Sequence, residues 1–189
     1  MPLTLVTAPA TEPVTLAEAK AHLRVDVADD DTLIAALIVA AREHAERFTH
    51  RALITQTWDW SVDGFPAIIV LPKPRLVSVT SITYMDSVGN SQTLAVSNYT
   101  VDGKSEPGRI VPAFGNQWPV TQGVINAVTV RFVAGYGDAS AVPQGIKQAM
   151  LLMVGHWYDH REAVAHAQTV VEVPMAVDML LMGHRVWSF

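Results

Sequence analysis

The stretch from Val14 to Leu53, VTLAEAKAHLRVDVADDDTLIAALIVAAREHAERFTHRAL, constrains the fold most. It reads as a short helix, an acidic turn and a longer helix. Thr15 is a suitable N-cap, and Glu18 three residues on completes a capping box. The first helix runs to about Leu23. Asp29, Asp30 and Asp31 then offer caps and a negative first turn to the second helix, where the helix dipole favours acids. Ile34, Ile38, Ala41, Ala45 and Phe48 recur at steps of three and four, widened on one flank by Leu33, Leu37 and Ala40. Arg42, Glu43, Glu46 and Arg47 fill the opposite face, with Glu43 and Arg47 spaced as an i,i+4 pair. An amphipathic helix of this kind is not stable alone, so the rest of the chain must supply an apolar surface.

That surface is expected at the other end of the chain. Pro143 sits at a helix start, and Pro143 to Glu162 reads as a third long helix. Ile146, Met150, Met153 and Trp157 line one face, Leu151 and Tyr158 lie round one side and Leu152 on the other. The polar stripe is narrow, which implies burial on most sides, against the first helix pair and against either a second subunit or the sheet. Pro174 to Met182 reads as a fourth helix with Gly183 at its C-cap. Residues 163–173 lose the pattern and read as an extended or mobile connection. Trp187 and Phe189 end the chain, either packed on its own core or docked on a partner.

Between the helix pairs the hydrophobic period drops to two. Ile54–Val62, Ala67–Leu71, Leu76–Met85, Thr93–Val101, Arg109–Val111 and Ala127–Ala134 read as strands, with a hairpin loop at Asp86–Asn90. Gly135–Tyr136–Gly137 reads as a strand-ending turn. Residues 1–13 form an extended arm that either folds back or reaches a neighbour. The predicted class is α+β: a helical bundle from residues 1–52 and 140–189, with an inserted antiparallel β module at 53–139.

Charged residues make up 16% of the chain, below the usual quarter or so. Either a large core or faces hidden against neighbours accounts for that. The net charge of −5, with no Lys/Arg cluster, argues against sequence-specific DNA binding. The absence of cysteine excludes disulfides and thiolate chemistry and fits an intracellular origin. No signal peptide is evident at the N-terminus, and no apolar run is long enough to span a bilayer.

No catalytic constellation emerges. His156 and His160 are spaced to share a metal on one helix face, but no third ligand stands nearby, so packed or interface histidines are the favoured reading. His44 and His50 read as flank and surface residues. The acidic triplet lacks the alternating ligands, glycine and distal glutamate of a calcium loop. Asp59 and Asp63 form no acid/base pair, and no GxSxG elbow is present. No cofactor is expected.

The ordered series of motifs resembles a known family: VTLAEAKAHLRVD and DDDTLIAALIVAAREHAERFTHRAL, then LPKPRLVSVTSITYMDSVGN, NYTVD, RIVPAFGNQWP, VTVRFVAGYGDASAVPQGIKQAMLLMVGHWYDHRE and VPMAVDMLL. These resemble the head–tail connector (adaptor) proteins of long-tailed phages, in the larger form with a β insertion, which have relatives in gene transfer agents. The resemblance implies a non-enzymatic virion subunit, made in the bacterial cytoplasm and located at the head–tail interface. It implies a self-assembled ring, usually a dodecamer, beneath the portal protein. DNA would pass through without sequence-specific binding, and a tail-side stopper or terminator protein would dock next; no membrane is involved. Leu151, Leu152 and Tyr158 are then the expected subunit-interface residues, and Trp187 and Phe189 the expected portal-docking tail. The alternatives are another head–tail joining or tail-completion protein (a stopper or terminator), against which the paired helices argue, or a small enzyme with an unrecognised site.

Overall fold

The computed structural model describes residues 2–160 and 175–187. The predicted α+β class holds: N- and C-terminal helix pairs pack together, and antiparallel sheets are inserted between them in the chain. Two compact units result, a sheet unit of Met1–Pro9 and Thr55–Tyr136 and a helical unit of Ala10–Ile54 and Gly137–Phe189.

In the helical unit, α1 spans Leu16–Leu23 and α2 spans Asp31–Thr49. Thr15 Oγ1 accepts from the Glu18 amide at 3.1 Å, and Glu18 Oε2 accepts from the Thr15 amide at 2.7 Å, which is the expected capping box. These bonds hold the Glu18 carboxyl below its ordinary value. Ile34, Ile38, Ala41 and Ala45 of α2 are buried, as their spacing requires. They face α3 (Gln144–Asp159), which buries Ile146, Ala149, Met150, Met153 and Val154. Pro143 stands at the N-cap of α3 rather than inside its first turn. The fourth helix, α4 (Met175–Met182), packs on α3 and α2 through Val177 and Leu181. The helix α3 ends at Asp159 with His160 at its C-cap, short of the expected end near Glu162, and the expected connection at 163–173 lies outside the described residues.

Two readings of α2 need correction. The acidic triplet supplies the N-cap position, Asp30, and the acid of the first turn, Asp31, as expected, but Asp30 makes no side-chain cap bond. Its carboxylate accepts from the Tyr158 hydroxyl of α3, and Asp31 pairs with Lys20 of α1. Partners on packed helices compete with the local amides for these oxygens. Arg42 and Glu46, assigned to the solvent face, are 8% and 6% exposed. The i,i+4 ion pair on α2 is Arg42–Glu46 at 3.2 Å, while Glu43 lies 3.8 Å from Arg42.

The sheet unit contains eight strands. The arm folds back as β1 (Leu3–Thr7), pairing antiparallel with β2 (Gln56–Val62). This is why the first nine residues join the sheet, although the division expected from sequence put them with the helices. The remaining strands are β3 (Ile69–Val70), β4 (Leu76–Met85), β5 (Ser91–Thr93), β6 (Tyr99–Asp102), β7 (Arg109–Pro112) and β8 (Val128–Ala134). They form two sheets rather than one: β1-β2-β8-β4-β5 and β3-β7-β6. The stretch expected as one strand over Thr93–Val101 is broken by a single 3-10 turn at Val96–Asn98, so its two ends serve different sheets.

The register explains the larger core. Trp58 and Trp60 of β2 stand opposite Phe132 and Val130 of β8, and Val79 and Ile82 of β4 oppose the same two residues from the other side. Residues two apart share a face, and on β4 a register shift between Val79 and Ser81 brings Val79 and Ile82 into line, so the apolar positions of three strands coincide. Phe132, Val130 and Ile82 are fully buried.

Gly108, leading into β7, is a tight point. A Cβ there would stand 2.7 Å from Leu76 Cδ2 and 2.8 Å from Leu76 Cβ. Gly108→Ala is expected to destabilise the sheet unit by about 1–3 kcal/mol through overpacking. A urea unfolding midpoint equal to that of the parent would refute this.

Candidate assembly surfaces

The helical unit ends in a built corner at the C-terminal end of α2. The Val186 amide donates to Thr49 O at 3.0 Å, and Arg51 Nε donates to His184 O at 2.6 Å. Thr49 Oγ1 itself donates to Ala45 O, and His50 closes the helix in the left-handed conformation. The Arg185 guanidinium carbon lies 5.3 Å from the Phe48 ring centroid and 4.5 Å from that of Trp187. Burial, with Arg51 nearby, pushes the His184 imidazole below its ordinary value and favours its neutral form.

The expected site residues fall in different environments. Leu151, Leu152 and Tyr158 are half-buried on α3, with Tyr158 held to Asp30 by its hydroxyl. Trp187 is 57% exposed at the corner, so it does not join the core. Phe189 lies outside the described residues. Two features escaped the sequence reading. Met175, Met179 and Met182 form an exposed stripe along α4, spaced at four and three residues. Arg185 meets Phe48, far away in the chain, and Trp187, two residues on; the first of these cation–π pairs leaves no local signal.

A second polar cluster ties the arm to α2. Arg42 Nε donates to Glu12 Oε2 at 2.8 Å, Arg42 Nη1 donates to Glu46 Oε2 at 3.2 Å, and Glu46 Oε1 accepts from the Leu53 amide at 2.8 Å. Burial raises the Glu12 carboxyl above its ordinary value despite the opposing pull of Arg42. Beside this cluster lies an open groove of about 320 Å³, lined by Thr11, Val14, Leu16, Ala35, Ile38 and Val39 among others.

Histidines 156 and 160 stack with ring centroids 4.7 Å apart. Among the described residues no group of three or more His, Cys, Asp or Glu could hold a metal. No helix among the described residues is long and apolar enough to cross a membrane.

In the sheet unit, carboxylates serve structure. Arg131 donates to Asp59 through Nε at 2.8 Å and Nη2 at 2.7 Å. Asp63 accepts from the Asn126 amide at 2.9 Å. Asp102 knots the β6–β7 hairpin: hydrogen bonds from Ser105 and Arg109 hold its carboxyl far below the ordinary range. The loop after β7 and the β4–β5 hairpin expose Val88, Val120 and Ile125. Beneath the loop, Phe65 stacks on Trp118 at 4.8 Å and meets Tyr84 edge-on at 5.6 Å.

Charge divides unequally. The sheet unit carries five Lys/Arg and five Asp/Glu, the helical unit eight and thirteen, so the whole net charge of −5 belongs to the helical unit.

Comparison with known proteins adds an independent line. A family model described as head completion protein matches residues 12–173. A chain from the virion of a native gene transfer agent particle is 25% identical, with a TM-score of 0.80, covering 100% of this chain and 97% of that one. The same fold occurs in a chain from the neck of the native particle, in a structure with C12 symmetry (24% identity, TM-score 0.79, the same coverage). It occurs again in the neck of the empty particle with C6 symmetry, at 23% identity and a TM-score of 0.80, likewise over 100% of this chain and 97% of that chain. No curated protein matches the chain.

Proposed function

The chain belongs to the head completion protein family, a structural and non-enzymatic one, and we propose that it is a neck adaptor that forms a ring under the portal. The observation that carries this reading is the family match over residues 12–173 together with likeness along the full chain to a protein of a gene transfer agent virion. In this reading the ring extends the DNA channel and offers its other side to a stopper or terminator. Symmetric necks of related particles support a ring of many copies, with twelve as the natural number.

Ring closure requires heterologous contacts, in which one face of a subunit meets a different face of the next. Leu151, Leu152 and Tyr158 on α3 are half-buried within their own subunit, and in this reading neighbouring copies cover what remains. The acidic helical unit suits a channel wall, because it offers DNA few contacts that release counterions. The exposed Trp187, with Phe189 after it, is assigned to the portal.

The test is electron microscopy of the protein mixed with portal rings of the same particle. A second ring stacked on the portal's tail side is expected. Attachment to the tail tube alone, or no stacked ring, would overturn the reading in favour of a tail-completion role.

A further inference from the structure

We propose that Arg185, clasped between Phe48 and Trp187, is the receptor for a carboxylate on the portal. The inference rests on the portal-docking reading given above and specifies its chemistry.

Arg185 differs from several other arginines of the chain. Arg42, Arg75, Arg109 and Arg131 each stand within 4 Å of a carboxylate. Arg185 has no such partner among the described residues; its charge is met by two aromatic rings. Rings cover the faces of a guanidinium and leave its in-plane N–H donors unused, and those donors match a carboxylate edge-on. The Arg185 Nε is buried and lacks any hydrogen-bond partner.

The corner is also locally basic on an acidic unit. Arg47 lies in the last turn of α2 and Arg51 just beyond its end, and Phe48 beside Arg47 carries the ring under Arg185. The three arginines gather where the unit as a whole is negative, so an acidic partner finds complementarity at this corner. The backbone is fixed in advance by the bonds from Val186 to Thr49 O and from Arg51 to His184 O. Holding the tail beforehand reduces the ordering cost of binding. Trp187, exposed and stacked on the cation, supplies the apolar contact; tryptophan and arginine are the residue types that dominate interface energetics.

The experiment measures equilibrium binding of the full chain to immobilised portal rings of the same particle, at low and physiological salt. The variants are Arg185→Gln, Arg185→Lys and Trp187→Ala, each checked for an unchanged unfolding midpoint. We expect Arg185→Gln to bind at least tenfold more weakly, Arg185→Lys to fall between it and the parent, and Trp187→Ala also to lose about tenfold. The parent should lose more affinity with salt than Arg185→Gln does. Parent-like binding by Arg185→Gln overturns the proposal alone. Failure of the parent chain to bind portal overturns the portal reading and the proposal with it. A defect in Arg185→Gln confined to self-association, or to binding of double-stranded DNA, also overturns it, because the carboxylate partner would then not be on the portal.

Discussion

Phe132→Ala is expected to cost the sheet unit about 3–5 kcal/mol, the range for deleting a buried aromatic ring. Phe132 is fully buried on β8, the middle strand of five, with Trp58 on one side and Val79 on the other. Both neighbours belong to ladders that fix their backbones, so the cavity cannot close by collapse. Hydrogen exchange of the β8 amides in the full chain reads the loss directly, and urea unfolding gives its size. Val88→Ala, at a residue 82% exposed on the β4–β5 hairpin, should stay within about 0.5 kcal/mol of the parent. A cost for Phe132→Ala below about 1 kcal/mol would mean that the core is not centred on β8.

The helical unit depends comparably on Arg42. Arg42→Ala is expected to cost about 3–5 kcal/mol, because it leaves Glu46 buried without its cation. Both side chains are nearly inaccessible, at 10% and 8%. Two carboxylates, Glu12 and Glu46, would then share a site with no opposing guanidinium. The Glu12 carboxyl already lies above its ordinary 4.5, chiefly through burial. A carboxyl raised on folding binds more protons in the folded state, so its contribution to stability falls as pH rises from 4.5 through the raised value. Removing Arg42 deletes the two influences that lower Glu12, so the deficit of Arg42→Ala should shrink as pH drops from 7 towards 5. Glu46→Gln should be milder, since the one amide oxygen still accepts from the Leu53 amide and only the bond from Arg42 to the other oxygen is lost. A deficit independent of pH would show that lost packing, rather than unpaired charge, dominates.

Arg42 and Glu46 also show where sequence reasoning stops. Helical periodicity places them on the polar side of α2, and their charge argues for solvent. What buries them is the arm: Glu12, thirty residues earlier, reaches Arg42, and Leu53 turns its amide onto Glu46. No local pattern announces a partner that distant. The side-chain cap expected from the acidic triplet is missing for the same reason. Asp30 and Asp31 have the composition of a cap, but a phenol from α3 and an ammonium from α1 take their oxygens instead.

The motif series was legible because family resemblance resides in ordered short stretches, and the head completion family match covers most of them. The candidate surfaces were legible in part. Trp187 was singled out as a large apolar residue on a tail, and its exposure bears on docking. Arg185 and Phe48 were not, because an aromatic–guanidinium stack joins residues far apart in the chain. The methionine stripe of α4 could have been found from its spacing of four and three alone.

Taken by itself, the amino-acid sequence determined the two helix pairs, the strands between them, the α+β class and the capping box at Thr15. These rest on interactions within a few residues and on hydrophobic period, both of which are written locally. Only the tertiary structure decided that β1 closes one edge of the sheet, that the strands divide into two sheets, and that Val14–Leu53 carries a buried Arg42–Glu46 pair inside its polar face. Strand order and the burial of a charge depend on which distant groups meet, and a helix exposes or hides a residue according to what lies across from it.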